Sequence, residues 1–469
     1  MKTYQDFLAE QNNITRFIAA AINEYRASED YRIALLADEY ERQKNVTIRQ
    51  YVKYLYDAAG QRVVDYTSAN NKIASNFFHR LNTQRCAYSL GNGVSFNTKA
   101  TKSKLGSDFD SRLYSAAYYA LIHKVSYLFW NVDRAYVFPM TQFCPLIDEE
   151  DGVLKAGIRF WSLDWNQKPV TAVLFTESGF TKYRTKEGSS GLDLVEIQKH
   201  RAYKVKVARN EADGEFIVGE DNYSSLPIVP LYGSKHRQST LVGLREAIDS
   251  YDLIQSGFAN DLEECAEIYW IISNAMGMSD NDIARFRDKM KLQHIVAADT
   301  DNSDVKSYTR EVPTNARETF LTSIRSQMYE DFGALDVHTV AAGATNDHID
   351  AAYQTMDEEA DDFEYQIIEA VQQLLKLMNI DDVPQFKRNK ISNQKEQVEM
   401  LMLVADYLDD ETLLSKLPFV TIDEVKKILK NKDKVDQNRI KKTDEQNQQD
   451  EQSEQPEQSE EEQITLEAR

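Results

Sequence analysis

Residues 241–272 read LVGLREAIDSYDLIQSGFANDLEECAEIYWII. Apolar side chains fall at Leu241, Leu244, Ile248, Tyr251, Ile254, Phe258, Leu262, Cys265, Tyr269 and Ile272. Every step is three or four residues, which puts them on one face of an α-helix. At 1.5 Å per residue the stretch predicts a single helix about 48 Å long. That is long for an element serving only its own domain core. Its polar face is one-signed, with Glu246, Asp249, Asp252, Asp261, Glu263, Glu264 and Glu267 against Arg245 alone. Like charges four residues apart oppose the helix by roughly 0.2–0.5 kcal/mol per pair, so its stability must come from packing the apolar stripe.

Working outward, residues 347–380 repeat the pattern. Asp347, Asp350, Asp357, Glu358, Glu359, Asp361, Asp362, Glu364 and Glu369 stand against Lys376, with Ile349, Tyr353, Met356, Ala360, Phe363, Ile367, Val371 and Leu374 on the other face. Between the two lies NARETFLTSIRSQMYEDF, a further helix started after Pro313 and closed by Gly333. The insert before it, LQHIVAADTDNSDVKSYTREVP, predicts a hairpin turning at Thr300–Ser303. A Ser-x-x-Asp start at Ser279 precedes a short basic helix, IARFRDKMK. ALDVHTVAAGATNDH, 334–348, lacks periodicity and predicts a loop.

The N-terminal part predicts helices over 2–60 and a mostly helical 64–90, ended by Gly91 and Gly93. SRLYSAAYYALIHKVSYLFW begins helical and shades into a strand. AYVFPM, AGIRFWSLDW, AVLFTESGFTKYRT and YKVKVARN then cluster or alternate β-branched and aromatic residues, which predicts an antiparallel β-rich layer to about residue 232. After Pro384, KEQVEMLMLVADYL and TIDEVKKILKN predict shorter helices. Residues 444–463 hold nine acids, seven Gln and no Lys or Arg, a composition that buries no core and predicts disorder.

The chain has 469 residues, 42% hydrophobic, and a net charge of −21. It can hold two or three domains, and its balance argues against a dedicated high-affinity grip on nucleic acid, which needs clustered Lys and Arg. The three cysteines, Cys86, Cys144 and Cys265, are too far apart for a metal cluster or a disulfide framework. The polar start MKTYQDFLAEQNN and the lack of a long apolar run predict a soluble protein made in a reducing compartment, with no membrane contact. No phosphate-binding Gly-x-x-x-x-Gly-Lys loop, His-Glu-x-x-His or Gly-x-Ser-x-Gly occurs. Asp347, His348, Asp350 and His338 could be imagined around a metal, but they straddle a loop and a helix start, so neither metal, cofactor nor catalysis is expected.

Taken in order, these parts resemble the portal proteins of tailed bacteriophages, of the type built from wing, stem, clip and crown. The resemblance runs over roughly 30–430. It rests on NKIASNFFHRLNTQRCAYSLGNGVSF, ALIHKVSYLFWNVD and SLPIVPLY followed by LREAIDSYDLIQSGFANDLEE with Asp252, Ser256, Asn260 and Asp261. REVPTNARETFLTSIRSQMYEDFGALD and AAGATNDHIDAAYQTMDEEADDFEYQIIEAV complete it. The family's usual Asn-x-Ser-Gly-x-Ala is replaced here by Ala342-Gly343-Ala344-Thr345-Asn346, and the Asn common after its proline-bearing stretch is missing.

The resemblance implies an α+β portal fold. N-terminal helices and a β-rich wing would occupy 1–240, a first stem helix 241–272, a clip 273–312 and a second stem helix 313–333. A channel loop would span 334–348, a long wing/channel helix 349–383, a helical crown 384–432 and a disordered acidic tail 433–469. It implies a ring, usually of twelve, at one capsid vertex of the virion, assembled in the host cytoplasm with major capsid and scaffolding proteins. Double-stranded DNA would pass without sequence preference along a channel lined by Asp261, Glu263, Glu264 and Glu267, whose charge repels phosphate. His338, Thr339, Thr345, Asn346, Asp347 and His348 would reach toward the DNA, with Phe258 and Leu262 packing between subunits. Arg285, Arg287, Lys289 and Lys291 would meet the terminase large subunit and later a head-completion adaptor, while KKILKNKDK would lie on the crown near packaged DNA. The alternative is a non-viral acidic helical scaffold or adaptor, which predicts no ring. A remoter one, a nuclease or transferase using Asp347, His348 and Asp350, predicts metal-dependent activity.

Overall fold

The computed structural model describes residues 1–56, 60–66, 68–162, 169–186, 191–210, 214–264, 269–273, 279, 281, 285, 304–308, 314–337, 346–390, 394–403, 405–417, 425 and 427–431. The chain divides into two compact units, Met1–Val337 with Tyr353–Lys390, and His338–Ala352 with Ile391–Arg469.

The first unit opens with helices α1 (Tyr4–Ala9), α2 (Ile14–Ala27), α3 (Glu29–Glu41) and α4 (Val46–Gln50). Phe17, Ile18, Ala21, Ile22 and Tyr25 recur at helical spacing and are all buried. Ser28 separates α2 from α3 by serving both. Its hydroxyl donates to the Tyr25 carbonyl at 2.7 Å and accepts the Tyr31 amide at 3.3 Å, with Glu29 and Asp30 favouring the positive end of the new helix. The expected helix over 2–60 stops short. Strands β1 (Tyr54–Tyr56) and β2 (Arg62–Val64) form an antiparallel hairpin instead, as β-forming Tyr, Leu and Val dictate. The helical reading of 64–90 narrows to α5, Phe77–Leu90, because the Ser and Asn of SANNK are disfavoured in a helix interior.

Strand β3 (Val94–Phe96) and helix α6 (Lys99–Leu105) lead to α7 (Phe109–His123), which Lys124 ends at φ +89° before strand β4 (Val125–Asn131). The helix-to-strand change expected in SRLYSAAYYALIHKVSYLFW falls there. Six of the seven residues of β4 are buried, and it lies between β5 (Arg134–Pro139) and β13 (Ile228–Tyr232) beneath α7. Strands β6 (Phe143–Ile147), β7 (Leu154–Trp161), β8 (Thr171–Thr176), β9 (Gly179–Thr185) and β10 (Leu194–Arg201) form a five-stranded antiparallel meander, and β11 (Lys204–Asn210) pairs with β12 (Gly214–Asp221). The antiparallel β-rich layer is thus borne out. Phe129, Phe138, Phe143, Phe175 and Phe160 fill its interior, each worth roughly 1.5–3 kcal/mol when fully buried. At Gly157 a Cβ would sit 2.1 Å from the Phe143 ring, so this β7 position admits no side chain.

Helix α8 covers Leu241–Glu264 and does not run on to Ile272 as the sequence predicts. Tyr269–Ser273 is instead strand β14, paired antiparallel with β15 (Asp304–Tyr308). Tyr, Trp and Ile are strong β-formers, and their apolar spacing continues the helical period only by coincidence. VKSY therefore pairs with this strand, while IVAAD lies outside the described residues. Helix α9 (Thr314–Phe332) closes at Gly333, φ +64°, as expected. Helix α10 runs Asn346–Leu377. Its predicted face is buried from Tyr353 through Met356, Ala360, Phe363, Ile367 and Val371 to Leu374. Strand β16 (Pro384–Phe386) pairs with β3, so 384–390 belong to the first unit rather than to the helices that follow. In the second unit, α11 (Gln394–Leu403) and α12 (Asp410–Ser415) are described, the latter capped by Asp409 accepting the Thr412 amide at 3.0 Å. The acidic tail, 433–469, lies outside the described residues.

Candidate functional site

Those of the sequence's candidate residues that the structure describes fall on α8, at Arg285 and at the start of α10. The upper half of α8 is held by apolar packing: Leu241, Leu244 and Ile248 are buried with Tyr40, Phe77, Phe78, Met328, Tyr329 and Phe332. From Asp252 the same face turns polar yet stays buried, through Ser256 to Asn260. Those three, one helical turn apart, meet three alternate amides of the extended segment 71–75. The Ser75 amide donates to Asp252 Oδ1 at 2.9 Å, the Ile73 amide to Ser256 Oγ at 2.9 Å, and the Asn71 amide to Asn260 Oδ1 at 2.6 Å. Four helical residues and two extended ones advance by nearly equal distances, so the two periods stay in step. Asn45 also donates to the second oxygen of Asp252. Burial pushes the Asp252 carboxyl above its ordinary range, and the hydrogen bonds from Asn45 and Ser75 oppose that shift.

The one-signed polar face of α8 is answered from within the chain. Asp249 accepts Tyr40 Oη and Thr47 Oγ1, the latter at 2.7 Å, and lies 3.5 Å from Arg245 Nε. Asp261 is ion-paired with Arg317 of α9. Glu263 accepts Asn71 Nδ2 at 2.8 Å, and Glu264 binds Lys53 Nζ at 2.8 Å. Glu267 lies outside the described residues. Arg317 also lies 5.8 Å over the half-buried Phe258 ring, whereas Leu262 is 53% exposed.

The acidic face of α10 is answered likewise. Arg388 and Lys390, just past β16, reach Asp357 at 2.9 and 2.6 Å, and Arg388 also engages Asp361 and, at 3.0 Å, Glu364. Tyr88 donates to Asp357 at 2.6 Å. Burial raises the Asp357 pKa, but the hydrogen bonds from Lys390, Tyr88 and Arg388 outweigh it and leave the carboxyl below its ordinary range. Hydrogen bonds to Glu364 lead the effects that hold Arg388 above its ordinary value. Arg85, largely buried, lies 4.1 Å over the Phe332 ring and 3.1 Å from Glu359. Burial lowers its pKa against the pull of Glu359 and Asp362.

Of the expected loop residues, Asn346, Asp347 and His348 fall in the first turn of α10, a correction to the loop reading. Asn and Asp are favoured at helix starts, where unpaired amides donate to their oxygens and the dipole attracts negative charge. His338, Thr339 and Thr345 lie outside the described residues. Asp350 is exposed. Among the basic candidates, Arg285 is helical and exposed, while Arg287, Lys289 and Lys291 lie outside the described residues. Among the described residues no group of His, Cys, Asp and Glu is arranged to hold a metal ion, and no helix is long and apolar enough to cross a membrane. Cys86 and Cys144 are buried free thiols, each pushed up to about 12 by burial.

Sequence reasoning missed the partners of the acidic faces: Asn45, Lys53 and Asn71 for α8, and Arg388 with Lys390 for α10. One signal was present, since Asp252 and Ser256 follow Leu244 and Ile248 at four-residue steps, although the apolar pattern assigns Asp252 to the polar face.

Residues 31–438 match the family model described as phage portal protein, SPP1 Gp6-like. The portal protein of Clostridium phage phiCD119 is 22% identical over 456 residues, covering 88% of this chain and 97% of its own length. The portal protein of Bacillus phage SPP1 is 23% identical over 400 residues, 78% of this chain and 76% of its own. With most of its length matched, from α3 past α12, the chain belongs to the SPP1 Gp6-like family of phage portal proteins.

Proposed function

We propose that this chain is the ring-forming subunit of a phage portal vertex, a structural protein and not an enzyme. The ring conducts double-stranded DNA into the capsid under a terminase, docks head-completion proteins afterwards, and releases the DNA at ejection. The match over 31–438 carries the reading. The antiparallel pair α8 and α9 supports it, because it retains Leu262 and Phe320, 53% and 45% exposed among the described residues.

In this reading Leu262 and Phe258 pack between subunits, residues 338–348 reach toward DNA, and Arg285, Arg287, Lys289 and Lys291 form the partner-docking surface. The acidic channel lining needs refinement. Arg317 and Lys53 neutralise Asp261 and Glu264 within the subunit, whereas Glu263, among the described residues, has only the neutral Asn71 amide. Glu263 is therefore the described residue to which we assign most of the phosphate-repelling field.

Native mass spectrometry of the purified chain tests the assembly. Twelve copies of 54.0 kDa give about 648 kDa, and a ring one subunit larger would equally support the reading. A chain that stays monomeric or dimeric, alone and in the presence of head-assembly proteins, would favour the acidic scaffold instead.

A further inference from the structure

Residues 51–66 have no role in the reading so far, yet seven of their large apolar residues are exposed: Tyr51, Val52, Tyr54, Leu55, Tyr56, Val63 and Tyr66. Strands β1 and β2 pair Tyr54 with Val64, Leu55 with Val63 and Tyr56 with Arg62. No third strand joins them among the described residues. Tyr51, Val52, Tyr54, Leu55 and Val63 are 39–49% exposed, Tyr56 75% and Tyr66 88%. Tyr54, Tyr56 and Tyr66 fall at alternate positions on one face of the hairpin and, at about 200 Å² per aromatic side chain, leave about 400 Å² uncovered, a patch of the size that on monomers is often functional. Leu55 and Val63, paired with each other, leave further apolar surface exposed on the opposite face. An isolated two-stranded hairpin is also marginal in water, so this one is built to be covered.

Its position selects the occupant. The hairpin is rooted on α8: the Asp65 amide donates to the Lys53 carbonyl at 3.0 Å, Lys53 binds Glu264, and Asn71 binds Asn260 and Glu263. Leu262, an exposed apolar residue of α8, lies at the level of those anchors but on the opposite side of the helix. Exposed Phe320 lies one turn beyond Arg317, which pairs with Asp261. One subunit therefore carries two different apolar patches at the same level along α8, and neither covers the other. Two unlike patches make a head-to-tail interface, and patches at one level close it into a ring rather than a helical filament.

We propose that the 51–66 hairpin docks on the α8–α9 pair of the neighbouring copy, over its Leu262 and Phe320, as the arm that closes the ring. This rests on the ring-forming reading above. The test uses the full-length chain carrying Tyr54→Ser, Tyr56→Ser and Tyr66→Ser together, compared with wild type by native mass spectrometry. These side chains are exposed, so the monomer should keep its circular dichroism and Tm, and the ring population should fall at least tenfold. In a second arm, p-benzoylphenylalanine replaces Tyr56, and irradiated rings should give chain-to-chain adducts on peptides holding Leu262 or Phe320. Intact rings in the triple variant, or adducts only within one chain, to another protein, or to a distant segment, overturn the proposal and leave the ring reading standing. A wild-type chain that makes no ring with or without head-assembly proteins overturns both.

Discussion

Asp252 shows how much one side chain fixes. It is buried at the junction of α4, α8 and the extended segment, and both its oxygens are occupied by donors. Asp252→Ala leaves the Ser75 amide and Asn45 Nδ2 without these partners, and we expect a loss of about 3 kcal/mol in urea unfolding. An unchanged midpoint would show that the segment is held by other contacts. Asp357 makes the complementary pH prediction. Its folded pKa lies below the ordinary value of 3.8, so the stabilisation it contributes is present above that value and fades as pH falls through the folded pKa. Across the acid range below pH ~5, Asp357→Asn should flatten part of the fall in the urea midpoint that wild type shows. Asp252, whose pKa is raised, has the opposite sign: protonation relieves its burial cost, so it cannot supply that fall.

At the scale of elements, α8 and α10 are amphipathic helices whose acidic faces meet donors from elsewhere in the chain, Lys53 and Arg317 for α8 and Arg388 with Lys390 for α10 among them. The apolar stripe of α10 is legible in the sequence because each buried residue from Tyr353 to Leu374 obeys one period. The end of α8 is not. Cys265, Tyr269 and Ile272 continue its period, and only a strand partner 35 residues further on, Asp304–Tyr308, turns YWIIS into β-structure. Lys53 and Arg388 were equally invisible as partners, since sequence places neither near the helix it serves. Two outcomes follow for these elements. Leu262→Asp puts charge on an exposed site, so the monomer should keep its Tm while ring assembly is blocked; normal rings by native mass spectrometry would mean a different subunit face. Glu263→Lys should leave rings but reduce packaged DNA in a head-filling assay, without setting a second cation against Lys53 as Glu264→Lys would. Unchanged packaging would remove the acidic-channel argument.

For the whole molecule, the family reading makes the tail dispensable. Residues 444–463 contribute −9 of the −21 charge and offer no apolar core, so deleting 444–469 should leave the ring mass intact apart from the missing residues. Loss of rings would show that the polyanion takes part in assembly. The order of helices, β-rich layer, long helix pair and long acidic helix is readable from sequence because each part has its own period. The hairpin's exposure is not, because Tyr, Leu and Val read as core wherever no neighbour is known. The ladder between α8 and residues 71–75 bears on how that hairpin responds to load. Its two scales advance by about 6.0 and about 6.6 Å per rung and so drift apart by about 0.6 Å each time. Like a vernier, they agree over a few divisions only. A slip of one residue turns every strand amide to the wrong side, so intermediate settings do not exist. Under axial pull the latch holds one height on the helix and then lets go all at once.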